Sequence, residues 1–312
     1  MRRLKRVALA LLVSLVVSLG GGYVYFDRKF TPPENALSVS SMATEVPIRW
    51  LATNGNPHAA LLLPVKLDGI ADTFYMQLDL GSPSTVFYGN AIRSVLEQRR
   101  AGFAIGYGAR QLGLGFSIDG LRIRSGSFGL LDYGSKVEFG NPAAANIIGT
   151  IGTDLLEKRI LVLDFKRGTT AFLQEVPEAG FSGFKFTKRR VLIPARIAGR
   201  DGMFLYDSGS SGYALLTSKQ EWDRLRTPGG AIKVDTGNSW GRALKVMTAP
   251  AAQTVALSNA TLRLSEVTYV EGTSRMQEWL MRSSGMQGML GNKLFLGHTL
   301  TLDAKRQRFK LD

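Results

Sequence analysis

Residues 63–82 read LPVKLDGIADTFYMQLDLGS, and residues 193–210 read IPARIAGRDGMFLYDSGS. Each stretch runs from an apolar-Pro pair through a glycine to an apolar segment that ends in Asp-x-Gly-Ser. The proline precedes its aspartate by 15 positions in the first copy and by 13 in the second, a difference that one tighter hairpin turn would absorb. One structural unit is therefore present twice, which predicts that Asp79 and Asp207 face each other across a pseudo-two-fold axis.

The repeat continues downstream of the aspartates. Residues 149–156 read GTIGTDLL and residues 288–295 read GMLGNKLF, while residues 163–167 read LDFKR and residues 302–306 read LDAKR. Matches that keep their order while the spacing between them varies indicate a duplicated lobe with altered loops. Convergent hairpin chemistry would produce one such match by accident rather than three in order.

Most of the chain is predicted to be β-strand, in short β-branched or alternating segments bounded by glycines. Helical spacing is found over residues 90–100, 217–226 and 274–282, and the first two segments begin at similar distances after their aspartates. The sequence thus predicts a mainly β, bilobal fold preceded by an N-terminal transmembrane or signal helix. The predicted divisions are a signal anchor or signal peptide over 1–29, a tether over 30–45, an N-terminal β lobe over 46–180 and a C-terminal β lobe over 181–312.

The N-terminal segment is basic over residues 2–6 and apolar from residue 7 to about residue 26. An apolar run of about 20 residues can span a bilayer, and its basic flank would stay in the cytoplasm. A cleavable signal peptide with a shorter apolar region is the alternative. The first reading predicts a single-pass protein of the inner membrane with its lobes in the periplasm, and the second a protein secreted into the periplasm.

Composition excludes several kinds of chemistry. The 312 residues include no cysteine, which excludes disulfides, thiol nucleophiles and thiolate metal sites. His58 and His298 lack a nearby ligand at zinc-like spacing, so we expect no metal and no cofactor. The net charge of +14 is scattered along the chain without a recognised binding motif, and we expect no nucleic-acid partner. Attraction to an anionic membrane surface and plain solubility charge are both open explanations of this charge.

The two Asp-x-Gly-Ser turns carry a chemistry of their own. A strand that runs into such a turn places a carboxylate at the end of a buried element, the glycine permits close backbone approach, and the hydroxyls can bond the carboxylates. Two carboxylates held together share one proton. One can then act as general base on a water while the other, protonated, polarises a carbonyl. A lone Asp-Ser-Gly is more often an Asx-turn, and the duplication is what favours a catalytic pair.

The paired motifs resemble those of the pepsin family of aspartic proteases in a minimal bacterial-type form, over roughly residues 45–312. Residues 152–167 also resemble retropepsin-like domains. The resemblance implies a bilobal pepsin-like fold in which Asp79 and Asp207 are catalytic, while Gly152 and Gly291 brace their loops. It also implies that the dyad is supported by Gly81, Ser82, Ser208, Gly209 and Ser210.

The pepsin family also has a flap, a hairpin that closes over the substrate and carries a tyrosine. Residues 103–108 read FAIGYG and lie between the first aspartate and the first brace glycine. The resemblance therefore implies that Tyr107 and Gly108 belong to a substrate-binding flap. An ordinary tyrosine on a β-hairpin is the alternative.

One residue departs from the family pattern. Leu80 stands where the family has Thr or Ser, and in the family this hydroxyl and its counterpart, here Ser208, bond across the lobes. The leading hypothesis is an aspartic endopeptidase that cleaves a polypeptide laid across the cleft between its lobes. The alternative is a catalytically silent pepsin-like module that binds peptides or partner proteins in the cell envelope. One chain with two lobes completes the dyad by itself, so we expect a monomer.

Overall fold

A computed structural model describes residues 31–53, 55–99, 104–105, 110–239, 242–258, 260–272 and 285–312. The chain divides into two compact units, Met1–Asn35 and Ala36–Asp312, and residues 31–35 of the first contain no helix or strand. The predicted N-terminal anchor or signal peptide, the predicted helix over 274–282, and the flap residues Tyr107 and Gly108 lie outside the described residues. Within the described ranges no helix is both long and apolar enough to cross a membrane.

The second unit is mainly β, as the sequence predicts. Its described residues form 23 strands: β1 (Ser38–Ser40), β2 (Ala43–Pro47), β3 (Arg49–Thr53), β4 (Asn56–Leu67), β5 (Phe74–Leu78), β6 (Val86–Tyr88), β7 (Ala104–Ile105), β8 (Gln111–Ile118), β9 (Leu121–Leu131), β10 (Ile147–Ile151), β11 (Ile160–Asp164), β12 (Thr169–Leu173), β13 (Ser182–Gly183), β14 (Lys185–Thr187), β15 (Arg190–Ile197), β16 (Arg200–Tyr206), β17 (Leu215–Thr217), β18 (Lys233–Ser239), β19 (Arg242–Leu257), β20 (Ala260–Val270), β21 (Met286–Leu290), β22 (Thr299–Asp303) and β23 (Arg308–Leu311). The helices in the same residues are α1 (Gly89–Arg99), α2 (Lys219–Leu225) and two short 3-10 helices, Ser208–Ser210 and Asn292–Phe295.

The first sheet has nine strands in the order β1-β9-β6-β10-β5-β4-β8-β7, with β3 also paired to β4. At its centre β5 runs antiparallel to β4 and parallel to β10, where Leu78 lies opposite Ile151. Phe74, Met76 and Leu78 of β5 are buried and alternate with partly exposed residues. This period of two is expected of a strand with one face on the core.

The second sheet has eight strands in the order β14-β15-β16-β21-β17-β20-β19-β18. Its run β15-β16-β21-β17-β20 repeats the run β4-β5-β10-β6-β9 of the first sheet, with the same sequence of antiparallel and parallel pairings. Tyr206 at the end of β16 lies opposite Leu290 on β21, as Leu78 lies opposite Ile151. The repeat in the sequence is therefore a repeat of strand order.

A third sheet of six strands, β13-β23-β22-β11-β12-β2, contains strands from both copies of the repeat. At its centre β11 runs antiparallel to β22, with Val162 opposite Thr301. These two strands contain or border the LDFKR and LDAKR sequences, so equivalent strands meet side by side. Strands β1–β12 are called the first half below, and β13–β23 the second half.

Part of the predicted tether, residues 30–45, is built into these sheets instead. β1 pairs with β9 and β2 with β12, and Ala43 and Val46 of β2 are almost completely buried. A segment rich in small and polar residues is typical of linkers. Such a composition does not indicate whether the segment pairs with strands far away in the sequence. This boundary is therefore corrected to the residues before Ser38.

Both described α-helices follow equivalent strands, α1 after β6 and α2 after β17. They cover most of the predicted segments 90–100 and 217–226. In α2 the Ser218 hydroxyl accepts a hydrogen bond from the Glu221 N–H at 3.3 Å, which begins the helix. Trp222 then packs into the core. The aspartate loops thus precede a strand and a helix in each half.

Candidate active site

Asp79 and Asp207 occupy equivalent positions, directly after the central strands β5 and β16. The Asp79 N–H donates to the carbonyl of Ile151 at 3.0 Å, and the Asp207 N–H donates to the carbonyl of Leu290 at 2.9 Å. Each parallel ladder therefore extends by one hydrogen bond into the loop, and this bond fixes the backbone of each aspartate at the end of its strand.

The two aspartate side chains point at each other. A Cβ added to Gly81 would lie 2.4 Å from Oδ1 of Asp207, and a Cβ added to Gly209 would lie 2.4 Å from Oδ1 of Asp79. Each carboxyl group thus rests against the glycine of the other motif, and the two carboxyls are hydrogen-bonded to each other. The structure brings these four residues together because both motif glycines lack a side chain.

This pairing changes the protonation of the site. Burial, the negative charge of Asp207 and the hydrogen bond to Asp207 raise the pKa of Asp79 to about 8. The N–H groups of Gly81 and Ser82 act in the opposite direction and donate to Oδ1 of Asp79 at 2.9 and 3.2 Å. The raised pKa means that the pair of carboxyls holds one proton at neutral pH.

Asp207 has a different set of donors. Its Oδ1 accepts from the Gly209 N–H at 2.9 Å, and its Oδ2 accepts from the Ser210 hydroxyl at 2.7 Å. The equivalent hydroxyl of Ser82 donates instead to the carbonyl of Ser84 at 2.9 Å. Asp207 therefore has a hydroxyl donor, whereas the donors to Asp79 are backbone N–H groups.

Ser208 links the two halves beneath the aspartates. Its buried hydroxyl accepts from the Leu80 N–H at 2.9 Å and donates to the carbonyl of Leu78 at 2.9 Å. Leu80 is buried in the apolar core and offers no hydroxyl in return. Hydroxyls at positions 80 and 208 would form two symmetric bridges between the halves. Here Ser208 forms its bridge, and Leu80 has no hydroxyl to form the other.

The predicted brace glycines lie under the aspartate loops. A Cβ added to Gly152 would lie 2.4 Å from the carbonyl carbon of Ser84, and one added to Gly291 would lie 2.2 Å from the carbonyl oxygen of Ser210. Each loop therefore packs directly on the backbone of the following repeat motif. A side chain at either glycine would push its loop away.

Sequence reasoning missed a buried polar residue that follows each brace glycine. Asp154 accepts from the Thr85 N–H and from the Thr85 hydroxyl, both at 2.7 Å, and burial raises the pKa of Asp154. Asn292 bonds the Tyr206 hydroxyl at 2.5 Å and the Ser211 hydroxyl at 2.7 Å. Their proximity to the repeated glycines is the available signal, but the two residues are not equivalent in the repeat, because Asp154 lies two positions after Gly152 and Asn292 one position after Gly291.

Other residues lie at the margin of the site. The Gln77 amide approaches the carbonyl of Gly209 at 3.5 Å and so adds a contact between the halves. The flap residues proposed from the resemblance are outside the described part of the chain. Across the residues that the structure describes, no three His, Cys, Asp or Glu side chains are grouped in a way that could hold a metal ion.

No protein-family model matches the chain, and no curated protein matches it. Among solved structures, the chain is similar to an aspartic proteinase from Irpex lacteus, with a TM-score of 0.49 and 10% sequence identity. The similarity covers 88% of this chain and 97% of that one. At this identity and score the likeness assigns neither a family nor an activity to the chain.

Proposed function

We propose that this chain is a pepsin-like aspartic endopeptidase, in which Asp79 and Asp207 activate a water that hydrolyses a peptide bond. The observation that carries this proposal is the reciprocal packing of the aspartates, each against the glycine of the other motif. Two carboxyls held this close share a proton, which is the state that acid and base catalysis by one pair requires.

The hydrogen bonds favour one division of labour. Asp207, which accepts from Ser210, is the general base and takes a proton from water as the water oxygen attacks the peptide carbonyl carbon. Asp79, whose pKa is raised, gives its proton to the carbonyl oxygen. The tetrahedral diol then collapses: the C–N bond breaks, Asp207 returns its proton to the leaving nitrogen, and Asp79 recovers a proton from the diol.

We extend the proposal to the location of the enzyme. The basic and apolar residues at the N-terminus are typical of a membrane anchor or an export signal. The proposed enzyme therefore works on polypeptides in the periplasm, either tethered to the inner membrane or released from it, and as a monomer. Fractionation of cells that express the chain, with protease protection of the intact protein, tests this location.

A peptide library incubated with the full chain tests the activity from acid to alkaline pH. We expect cleavage by the natural sequence, and a loss of at least about 10³-fold in kcat/KM for Asp79→Asn and for Asp207→Asn. Asp132→Asn is the matched control, because it makes the same chemical change at an exposed aspartate. Undiminished cleavage by either dyad variant would overturn the proposal.

Leu80 supports one alternative function, a pepsin-like module that binds peptides without cleaving them. The missing second hydroxyl is its structural basis. If the folded chain binds library peptides and cleaves none at any pH, this alternative replaces the endopeptidase.

A further inference from the structure

The turn between β14 and β15 has an unfavourable backbone. Thr187 pairs with Arg190, which leaves Lys188 and Arg189 as a two-residue turn, and their φ angles are +51° and +55°. Such turns strongly favour Asn-Gly because both residues adopt the left-handed region. Two long side chains therefore occupy a turn whose backbone suits neither.

In the equivalent hairpin of the first half Thr53 pairs with Asn56, and the described turn residue Gly55 has a φ of +76°, which a glycine adopts without strain. Strain at a non-glycine turn residue such as Arg189 persists only where surrounding contacts hold it. Arg189 makes such contacts with the first half.

Arg189 reaches from the second half into the loop that follows Asp79. Its side chain is only 6% exposed. Nη1 donates to the carbonyl of Pro83 at 3.3 Å and lies 3.5 Å from the hydroxyl of Ser84. Nε lies 3.4 Å from a carboxylate oxygen of Glu157. A buried cation thus holds the backbone of the loop from below.

The main chain of Arg189 is attached to the same loop. The Thr153 hydroxyl donates its one proton to the Arg189 carbonyl at 2.7 Å and lies 3.0 Å from the Ser82 carbonyl. The Thr153 N–H also donates to the Ser82 carbonyl at 2.9 Å. Ser82 is the residue whose N–H binds Asp79, so a continuous set of contacts runs from the strained turn to the carboxylate.

We propose that Arg189 is a positioning residue for the candidate active site: the strained turn places its guanidinium under residues 82–84, and this contact holds the N–H donors of Asp79 in place. The effect on turnover rests on the proposed endopeptidase function. The effect on the loop does not rest on that function, because hydrogen exchange of the loop amides can be measured in a protein without proteolytic activity.

Lys188→Gly and Arg189→Gly form a matched pair, since each relieves one left-handed residue and only the second removes the guanidinium. We expect amide exchange in residues 80–86 of the full chain to speed up by about tenfold in Arg189→Gly and to stay unchanged in Lys188→Gly. In a cleavage assay kcat should fall about 10- to 100-fold in Arg189→Gly while KM changes little. Arg189→Lys keeps a cation without the planar fork and should fall between the two.

The outcomes separate this proposal from the proposed function. Equal loop exchange in the two glycine variants would overturn the positioning role, whatever the activity. Cleavage by neither the natural chain nor any variant, with faster loop exchange in Arg189→Gly alone, would overturn the endopeptidase and leave the positioning role standing. If Arg189→Gly does not fold, loop exchange in Arg189→Lys equal to that of the natural sequence would also contradict the proposal.

Discussion

The two aspartate loops share their backbone design and differ in their side chains. Both aspartates donate an N–H to the neighbouring parallel strand, and both rest against the glycine of the opposite motif. A hydroxyl bridge, however, comes from Ser208 and has no counterpart from Leu80. Duplication has thus kept the geometry of the pair, which depends on glycines and backbone, while the groups that tune each carboxyl have diverged.

The segments that cross to the opposite loop differ as well. Arg189 of the second half lies under the loop of Asp79. In the first half Asn56 lies against Gly212, where an added Cβ would be 1.7 Å from the Asn56 amide nitrogen. The first loop therefore accepts a hydrogen bond from a buried cation, whereas the second packs through Gly212 against a neutral amide. We expect the halves to respond differently to matched substitutions.

Apart from loss of the aspartates themselves, the largest expected effect tests what the halves have in common. Gly81→Ala and Gly209→Ala each introduce a Cβ within 2.4 Å of an opposing carboxylate oxygen. Both should lower kcat/KM by at least about 100-fold, since the carboxyls must move apart. Steady-state kinetics on both variants checks this. Gly183→Ala, at a strand glycine with open space around its Cα, is the control; unequal losses in the two motif variants would show that the packing is not reciprocal.

The next effect tests the single hydroxyl bridge. Ser208→Ala removes the two hydrogen bonds that the Ser208 hydroxyl makes to the first half and leaves the buried Leu80 N–H without its acceptor. We expect the free energy of unfolding to fall by about 1–3 kcal/mol and kcat to fall about tenfold or more. Leu80→Thr also removes a buried apolar side chain, so it should lower the free energy of unfolding as well, but kcat should fall less than in Ser208→Ala because Ser208 still joins the halves. Denaturant unfolding and kinetics of both variants test this; a larger loss of kcat in Leu80→Thr would contradict the role given to Ser208.

The raised pKa of Asp79 predicts a pH-dependent stability. The folded state holds a proton that the unfolded state releases above its ordinary pKa of 3.8. Stability from this group is therefore complete below about pH 4 and is lost as the pH rises towards about 8. Asp79→Asn removes the repulsion and should raise the free energy of unfolding at pH 9 by about 2 kcal/mol.

Urea unfolding at pH 4 and pH 9 measures that difference. The gain from Asp79→Asn should be larger at pH 9. An equal gain at both pH values would mean that the two carboxyls do not repel each other in the folded protein.

The smallest expected effect compares the two motif serines. Ser210 donates to Asp207, while Ser82 donates to a backbone carbonyl. Ser210→Ala should lower kcat about fivefold or more, and Ser82→Ala should lower it about twofold or less. Kinetics of the two variants under the same conditions decides the comparison. Similar losses would show that the divergence of these hydroxyls has no catalytic consequence.

The sequence predicted the features that depend on local pattern. The two Asp-x-Gly-Ser motifs and the repeated glycines predict a mainly β fold built from two similar copies, with Asp79 next to Asp207. It does not predict pairings between distant segments, and so the predicted tether over 30–45 includes β1 and the start of β2. The role of Arg189 is not predictable from local pattern either. Two-residue turns with left-handed backbone favour Asn-Gly, so a Lys-Arg pair gives no sign of such a turn.

The central claim is that Asp79 and Asp207 form one dyad that shares a proton. Carbon-13 NMR of labelled aspartate carboxyls, followed over pH in the natural chain and in Asp207→Asn, measures this directly. We predict that the Asp79 carboxyl titrates near pH 8 in the natural chain and at lower pH in the variant, because the neighbouring negative charge is gone. Titration of Asp79 near its ordinary pKa of 3.8 in both proteins would contradict the dyad.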